Sequence, residues 1–228
     1  MRKSPHHPDP GSRKEPASPF RPLIFGEALF DQFPDGSRVL GGAPFNVAWH
    51  LRGFEARPLM ITSVGRDREG KEILERMVRW GMDTTGVQRH PARPTGRVTA
   101  HIEDGEPSYE IEARQAYDAV SVADLPPDTT LSEGEFLYHG TLALREATSA
   151  GALGYLRASY GFPTLVDVNL RDPWWSREEV LRRLEGTTWV KLNRDEAGLL
   201  SGAPVAEVPD LEKAGDLIRR RNRIENLV

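Results

Sequence analysis

The residues best able to do chemistry in this sequence are polar side chains placed just after short apolar runs. Glu27 and Asp31, Asp67, His139, Asp167, Asn169 and Arg171, and Asn193 and Glu196 all stand in such places. If those runs are strands of one parallel sheet, these groups gather where ligands bind, beyond the carboxyl ends of the strands. The segment Gly41-Gly42-Ala43-Pro44-Phe45-Asn46 adds two glycines ahead of a helix start. Glycines there let backbone approach a ligand closely, and the Asn46 amide can both donate to and accept from a hydroxyl. An ordinary turn with an asparagine in the first helical turn would use the same residues. Asn193 and Glu196 likewise have the spacing of a capping box.

The elements that must position these groups follow from apolar patterning. Leu23-Ile24-Phe25-Gly26 and Pro58 to Gly65 read as buried strands closed by glycine. Phe45 to Leu51 reads as a helix start, and Lys71 to Trp80 as an amphipathic helix with Ile73, Leu74, Met77 and Val78 on one face and Gly81 as its stop. Arg97 to Ile102 and Ser108 to Ile111 alternate about Asp104-Gly105, a hairpin signal, which predicts a small antiparallel flap. Phe136 to Gly140, Thr164 to Asn169 and Thr188 to Asn193 read as further strands separated by helical patterns. That rhythm predicts an α/β fold, a mainly parallel sheet with helices on both faces. Lid strands are expected near 27–40 and 95–113, within a domain spanning 20–228.

Composition narrows the classes. The chain has 228 residues, 30 Lys+Arg against 34 Asp+Glu, a net charge of −4 and no cysteine, so disulfides and thiolate chemistry are excluded and a general nucleic-acid surface is disfavoured. No apolar run reaches the roughly 20 residues of a membrane span, no segment looks like a secretory signal, and the cytoplasm is the expected location. Met1 to Pro19 holds five prolines and almost nothing apolar, and reads as a disordered tail in which His6-His7 makes a poor metal site. Leu211 to Arg223 reads as a helix with Leu211, Ala214, Leu217 and Ile218 on one side. Ile224 to Val228 begins what reads as a further strand, so an incomplete domain is expected.

Two segments imitate phosphate motifs. Gly65-Arg66-Asp67-Arg68-Glu69-Gly70-Lys71-Glu72 approaches a P-loop, but Glu72 stands where Ser or Thr should bind magnesium, and three carboxylates would repel a triphosphate. It reads better as a strand-to-helix turn. Asp210 to Asp216 contains Lys213-Ala214-Gly215-Asp216 inside an apolar-periodic helix, which argues against a catalytic Asp216.

Taken together, Gly26 to Asp31, Gly41-Gly42 with Asn46 and Ala48, Val64 to Gly70, Asp167-Val168-Asn169-Leu170-Arg171 and Lys191 to Glu196 resemble, in order, the motifs of the ribokinase-like (PfkB-type) carbohydrate kinases, fructokinase-like branch. The likeness runs from about Leu23 to Val228, and three of the five asparagines fall on it. Glu55 departs from the pattern, at a position the family usually gives to glycine or serine.

The resemblance implies an ATP-dependent kinase phosphorylating a sugar hydroxyl, with ATP and Mg2+ as cofactors. It implies that Asp31, Gly41, Gly42, Asn46 and Arg114 bind sugar. By the same likeness Asn169, Arg171, Lys191, Asn193 and Glu196 serve the nucleotide phosphates, Arg171 as a bidentate partner and Glu196 near the metal. The partners implied are a small-molecule sugar and a second copy of the chain, through the β flap, with no nucleic acid or membrane. The family's catalytic Gly-Ala-Gly-Asp turn, whose aspartate takes the hydroxyl proton, is expected beyond Val228, so this chain is expected to be inactive or impaired. The alternative is a nonenzymatic sugar-binding or regulatory relic of such a kinase. A dinucleotide-dependent oxidoreductase is disfavoured because no G-x-G-x-x-G follows the first strand.

Overall fold

The computed structural model describes residues 20–103 and 106–228. The 1–19 segment with His6-His7, and the Asp104-Gly105 pair, lie outside the described residues.

Seven strands form one parallel sheet: β1 (Pro22–Phe25), β4 (Leu59–Gly65), β5 (Val87–His90), β8 (Phe136–His139), β9 (Thr164–Asp167), β10 (Trp189–Lys191) and β11 (Asn226–Leu227). Their order is β11-β10-β9-β8-β1-β4-β5, so the chain runs one way from β1 to β5 and the other way from β8 to β11. Ligand clefts of open α/β sheets form where the order reverses, here beside β1 and β8.

Alternation along the central strands fills two opposed layers. Leu23, Phe25, Leu59, Ile61 and Leu137 point into a cluster with Ala152, Leu153 and Leu156 of α4 (Ala147–Tyr160). Ile24, Met60 and Tyr138 point the other way, onto Phe45 and Ala48 of α1 (Ala43–Gly53) and Ile73 and Met77 of α2 (Arg68–Arg79). A third cluster joins Val166 and Val190 to α5 (Arg177–Leu184), α6 (Arg194–Ser201) and α7 (Val208–Arg221); α3 (Asp128–Leu131) is a single turn. Two apolar residues expected on buried helix faces are not buried: Val78 is 64% and Leu217 49% exposed. Each is the chain neighbour of a fully packed residue, Met77 or Ile218, and falls at the margin of a narrow buried stripe.

The second sheet comprises β2 (Leu29–Gln32), β3 (Arg38–Gly41), β6 (Gly96–Glu103) and β7 (Glu106–Ile111), in the order β3-β2-β6-β7. Two antiparallel pairs, β2 with β3 and β6 with β7, are joined by a parallel seam between β2 and β6. The flap is therefore mixed rather than antiparallel. Local alternation reveals the β6–β7 hairpin, but the register Leu29↔Gly96 to Gln32↔Thr99 joins distant segments and leaves no local trace. Arg38 straps this sheet to α2, pairing with Glu69 at 3.2 Å and with Glu72, while its guanidinium lies 4.6 Å from the Phe30 ring centroid.

The two helices α1 and α2 end in the same way. After α2, Gly81 at φ 75° donates to Val78 O and Met82 to Met77 O, at 3.0 and 2.9 Å. After α1, Glu55 donates to Arg52 O and Ala56 to Leu51 O, both at 3.1 Å, which is the same Schellman closure. Glu55 takes φ 65°, a conformation that costs a side-chain-bearing residue roughly 1 kcal/mol and glycine almost nothing. The departure at Glu55 is thus a strained helix stop. Glu55→Gly is expected to stabilise the protein by about 0.5–1 kcal/mol, read as a raised urea midpoint with unchanged slope; an unchanged or lower midpoint would contradict this account.

Candidate functional site

A cleft of about 440 Å³ opens between the carboxyl ends of the parallel sheet and the inner face of the second sheet. Its base is built by close backbone approach. A Cβ on Gly42, at φ 104°, would stand 2.5 Å from the Glu27 carbonyl oxygen, and one on Gly41 would stand 2.9 Å from Asp31 Oδ2. At Gly42 only a hydrogen fits against fixed backbone, whereas at Gly41 a side chain would displace the Asp31 carboxylate. The start of α1 thereby lies directly on the segment leaving β1, and Asn46, in its first turn, faces the cleft. Leu29, Asp31 and Phe33 enter from the β2 side, Val98 from β6, and Tyr109 and Ile111 from β7. Asn169 and Arg171 enter from the segment after β9.

Of the residues singled out in the sequence, Asp31, Gly42, Asn46, Asn169 and Arg171 line this one cleft, and Gly41 backs Asp31. Arg114 does not line it; it is exposed just past β7 at φ 55°. Lys191, Asn193 and Glu196 also stand outside the cleft wall. Lys191 Nζ pairs with Asp167 Oδ1 at 2.8 Å, and Tyr138 donates its hydroxyl to Asp167 Oδ2 at 3.1 Å, a ladder across β8, β9 and β10.

Asn193 and Glu196 form the capping box of α6. Asn193 Oδ1 accepts the Glu196 N–H at 2.9 Å, and Glu196 Oε2 accepts the Asn193 N–H at 2.8 Å. Glu196 Oε1 accepts the Leu170 N–H at 2.9 Å, tying α6 to the segment that carries Asn169 and Arg171. With 6% exposure and both oxygens engaged, Glu196 is not placed to ligate a cation directly. Among the described residues no three His, Asp or Glu side chains gather as a metal cluster. A magnesium ion, which keeps most of its waters, fits beside this corner only through those waters.

The two imitative segments are structural. Asp67 caps α2 by accepting the Gly70 N–H at 2.8 Å, and it also accepts the Thr95 N–H and hydroxyl at 2.7 and 2.5 Å. Burial pushes its carboxyl up, but these donors outweigh burial and hold it below the usual carboxylate value. Asp216 lies along α7, paired with Arg219 and Arg220 at 3.5 and 3.2 Å.

Charge inside the cleft is arranged around Arg171. Burial raises the Asp31 carboxyl, and the Arg171 guanidinium opposes the rise. Glu27 lies deeper. It lines the cleft while only 4% exposed, and burial pushes it up to about 7 against the opposing effects of the Glu27 and Ala43 amides, then Arg171 and Arg145. Its Oε2 is buried without a hydrogen-bond partner among the described residues. Behind it, Arg145 holds Asp118 through two contacts of 2.7 Å, donates to Tyr117 at 3.1 Å and stacks 4.2 Å from the Trp174 ring centroid. Strand-end position marks Glu27 in the sequence, but nothing in its residue type announces that it is buried together with Phe25, Ala28 and Leu29.

A parallel α/β sheet, a mixed lid and a cleft at the strand-order reversal define the ribokinase-like fold. The chain belongs to the pfkB family of carbohydrate kinases, whose family model, "pfkB family carbohydrate kinase", matches residues 24–227. Among curated relatives, a sugar kinase of Pyrococcus horikoshii is 27% identical over 161 residues, covering 69% of this chain and 50% of the relative. The chain thus spans about half the length of that protein. Among solved structures, a fructokinase from Xylella fastidiosa with bound ATP superposes with a TM-score of 0.78 at 21% identity, over 91% of this chain and 67% of that one. A fructokinase from Vibrio cholerae with fructose, ADP and calcium ion superposes with a TM-score of 0.74 at 21% identity, over 88% and 68%. Among the described residues no helix is long and apolar enough to cross a membrane.

The buried titratable groups give a pH test of this architecture. Glu27 keeps its proton more firmly in the folded state, so its contribution to stability falls as pH rises from 4.5 to about 7. His139, fully buried and pushed by that burial down to about 4, acts oppositely, its contribution growing as pH rises from about 4 to 6.5. The two oppose each other over most of this window. Glu27→Gln removes one of them, so the variant is expected to gain stability over the native protein as pH rises from 5 to 8, by up to about 3 kcal/mol. Urea unfolding at both pH values measures the difference, and a gap that does not widen would contradict the burial of Glu27.

Proposed function

We propose that this chain is the sugar-binding portion of an ATP-dependent sugar kinase of the fructokinase type. The observation that carries this reading is the meeting of Asp31, Asn46, Asn169 and Arg171, from four separate chain segments, in one cleft. The Asp31 carboxylate and the Asn46 amide supply the acceptors and donors that a polyol requires, Asn169 and Arg171 add polar groups facing the phosphates, and apolar Leu29, Val98, Ile111 and Leu142 give the walls on which a sugar ring rests. The fructose-bound Vibrio cholerae structure and the ATP-bound Xylella fastidiosa structure share this fold, which supports fructose and ATP as the first ligands to test.

In this reading Asp31 and Asn46 orient the sugar hydroxyls, with Gly41 and Gly42 leaving room for them. Arg171 acts at both ends of the cleft. It balances Asp31 and Glu27 at the sugar end, and its guanidinium is the group able to meet phosphate oxygens at the mouth. Asn169 and Lys191 serve the nucleotide phosphates, the Asn193–Glu196 corner fixes the backbone that carries Arg171 through the Leu170 N–H, and magnesium with its waters would neutralise phosphate charge there. Arg114 reaches the sugar only if the end of the lid moves inward. A second copy of the chain meeting the lid sheet is part of the same proposal.

Phosphoryl transfer also needs a base on the accepting hydroxyl and donors around the moving phosphate, worth roughly 10²–10⁴ and 10²–10³ in rate. The Gly-Ala-Gly-Asp turn that provides both in this family does not occur in the 228 residues. The chain is therefore proposed to bind without appreciable turnover.

Titration calorimetry with fructose is expected to show saturable binding that Asp31→Ala and Asn46→Ala each weaken at least tenfold. Coupled ADP-release assays with fructose, ATP and magnesium are expected to stay at background. Unchanged affinity in both variants would remove the sugar site, and turnover at ordinary kinase rates would remove the proposal of binding alone.

A further inference from the structure

Glu27 is a buried group of the cleft to which this reading gives no role. Most buried carboxyl oxygens find a donor, because leaving one unpaired costs on the order of 1–3 kcal/mol; Glu27 Oε2 has none among the described residues. Its surroundings are close-packed. A Cβ on Gly42 would come within 3.3 Å of Glu27 Cγ, so the side chain lies beside the backbone that opens α1. The charged and titratable groups facing it are Arg171 from the segment after β9, Arg145 from the segment after β8, Tyr117 ahead of that segment, and Tyr138 on β8. None of them hydrogen-bonds Oε2.

We propose that Glu27 is a third ligand-recognising side chain of the cleft, its unpartnered Oε2 exchanging a hydrogen bond with a hydroxyl that neither Asp31 nor Asn46 serves. The inference rests on the sugar-binding reading and deepens it: the site prefers polyols with an additional hydroxyl reaching the inner end of the cleft. Below pH 7 the group is a carboxylic acid and donates through its O–H. A bound ligand excludes water and further disfavours the charged form, so binding favours the proton and affinity falls as pH rises. Asp31, also raised by burial with the Arg171 guanidinium opposing the rise, is the other titrating carboxyl of the cleft.

Fructose calorimetry on the full chain, from pH 6 to pH 8, tests this. The native protein is expected to lose about fivefold or more in affinity across that range, with proton uptake visible as a dependence of the binding heat on buffer ionisation. Glu27→Gln keeps a donor and an acceptor without a titrating proton, and is expected to bind within about threefold of the native affinity at pH 6 with a flat profile. Glu27→Leu is expected to lose at least tenfold, with urea unfolding confirming that it is folded. The native pH profile needs no variant, so a misfolded Glu27→Leu would leave the test intact. If Asp31→Ala and Asn46→Ala weaken binding while Glu27→Leu and pH do not, the role of Glu27 is overturned and the sugar site stands. If fructose does not bind, or binds unaffected by every substitution, the sugar site falls and the role of Glu27 with it.

Discussion

The cleft depends on two places where the chain passes closer to itself than side chains permit. A Cβ on Gly26 would overlap Pro44 Cγ, and one on Gly42 would stand 2.5 Å from the Glu27 carbonyl oxygen. The exit of β1 and the entry of α1 are thereby interlocked, each donating a glycine to the bulk of the other. Everything at the base of the site follows from that contact: the burial of Glu27, the presentation of Asn46 in the first turn of α1, and the packing of Phe45 and Ala48 onto the sheet beneath. A methyl group at either glycine would have to push apart two elements that are both anchored in the same core.

Electrostatics then divides the labour within a small volume. Two carboxyl groups are drawn out of water to different depths, and Arg171 acts on both. Glu27, the deeper, holds its proton to about pH 7; Asp31, half-buried, remains the readier of the two to carry charge beside Arg171. Arg145 also acts on Glu27, but it is committed to Asp118 and the Tyr117 hydroxyl and does not line the cavity. Among the residues lining the cleft, the positive charge at the mouth is left to Arg171.

Much of this was legible from residue types. Asp31, Asn46, Asn169 and Arg171 follow strands or open a helix, and the geometry of parallel sheets sends such positions to one edge whatever the details of packing. Glu55 was visible as an oddity, and its positive φ explains why glycine is the usual occupant. The missing parts share a cause, which is that they arise between segments far apart in sequence. The parallel seam of the lid joins residues near 30 to residues near 98. The third hydrogen bond of Glu196 reaches back to Leu170. Phe33, Tyr109 and Ile111 face the cleft only because the lid folds over it. Burial of Glu27 belongs to the same set, since it is imposed by Gly42 and the start of α1.

The composite lid has a bearing on how such a protein can change over generations. Its two hairpins leave the chain at separate points and become one sheet only by pairing β2 with β6. Loss of either insertion would strip the other of its neighbour and bare a row of amides and carbonyls along a new edge. Shortening the lid in small steps therefore meets an intermediate worse than both endpoints, whereas the loops at the opposite end of the parallel sheet can lengthen or shrink singly. Selection is thus expected to keep or discard the cover as a pair, and a graft moving it to another scaffold must carry both pieces with their spacing.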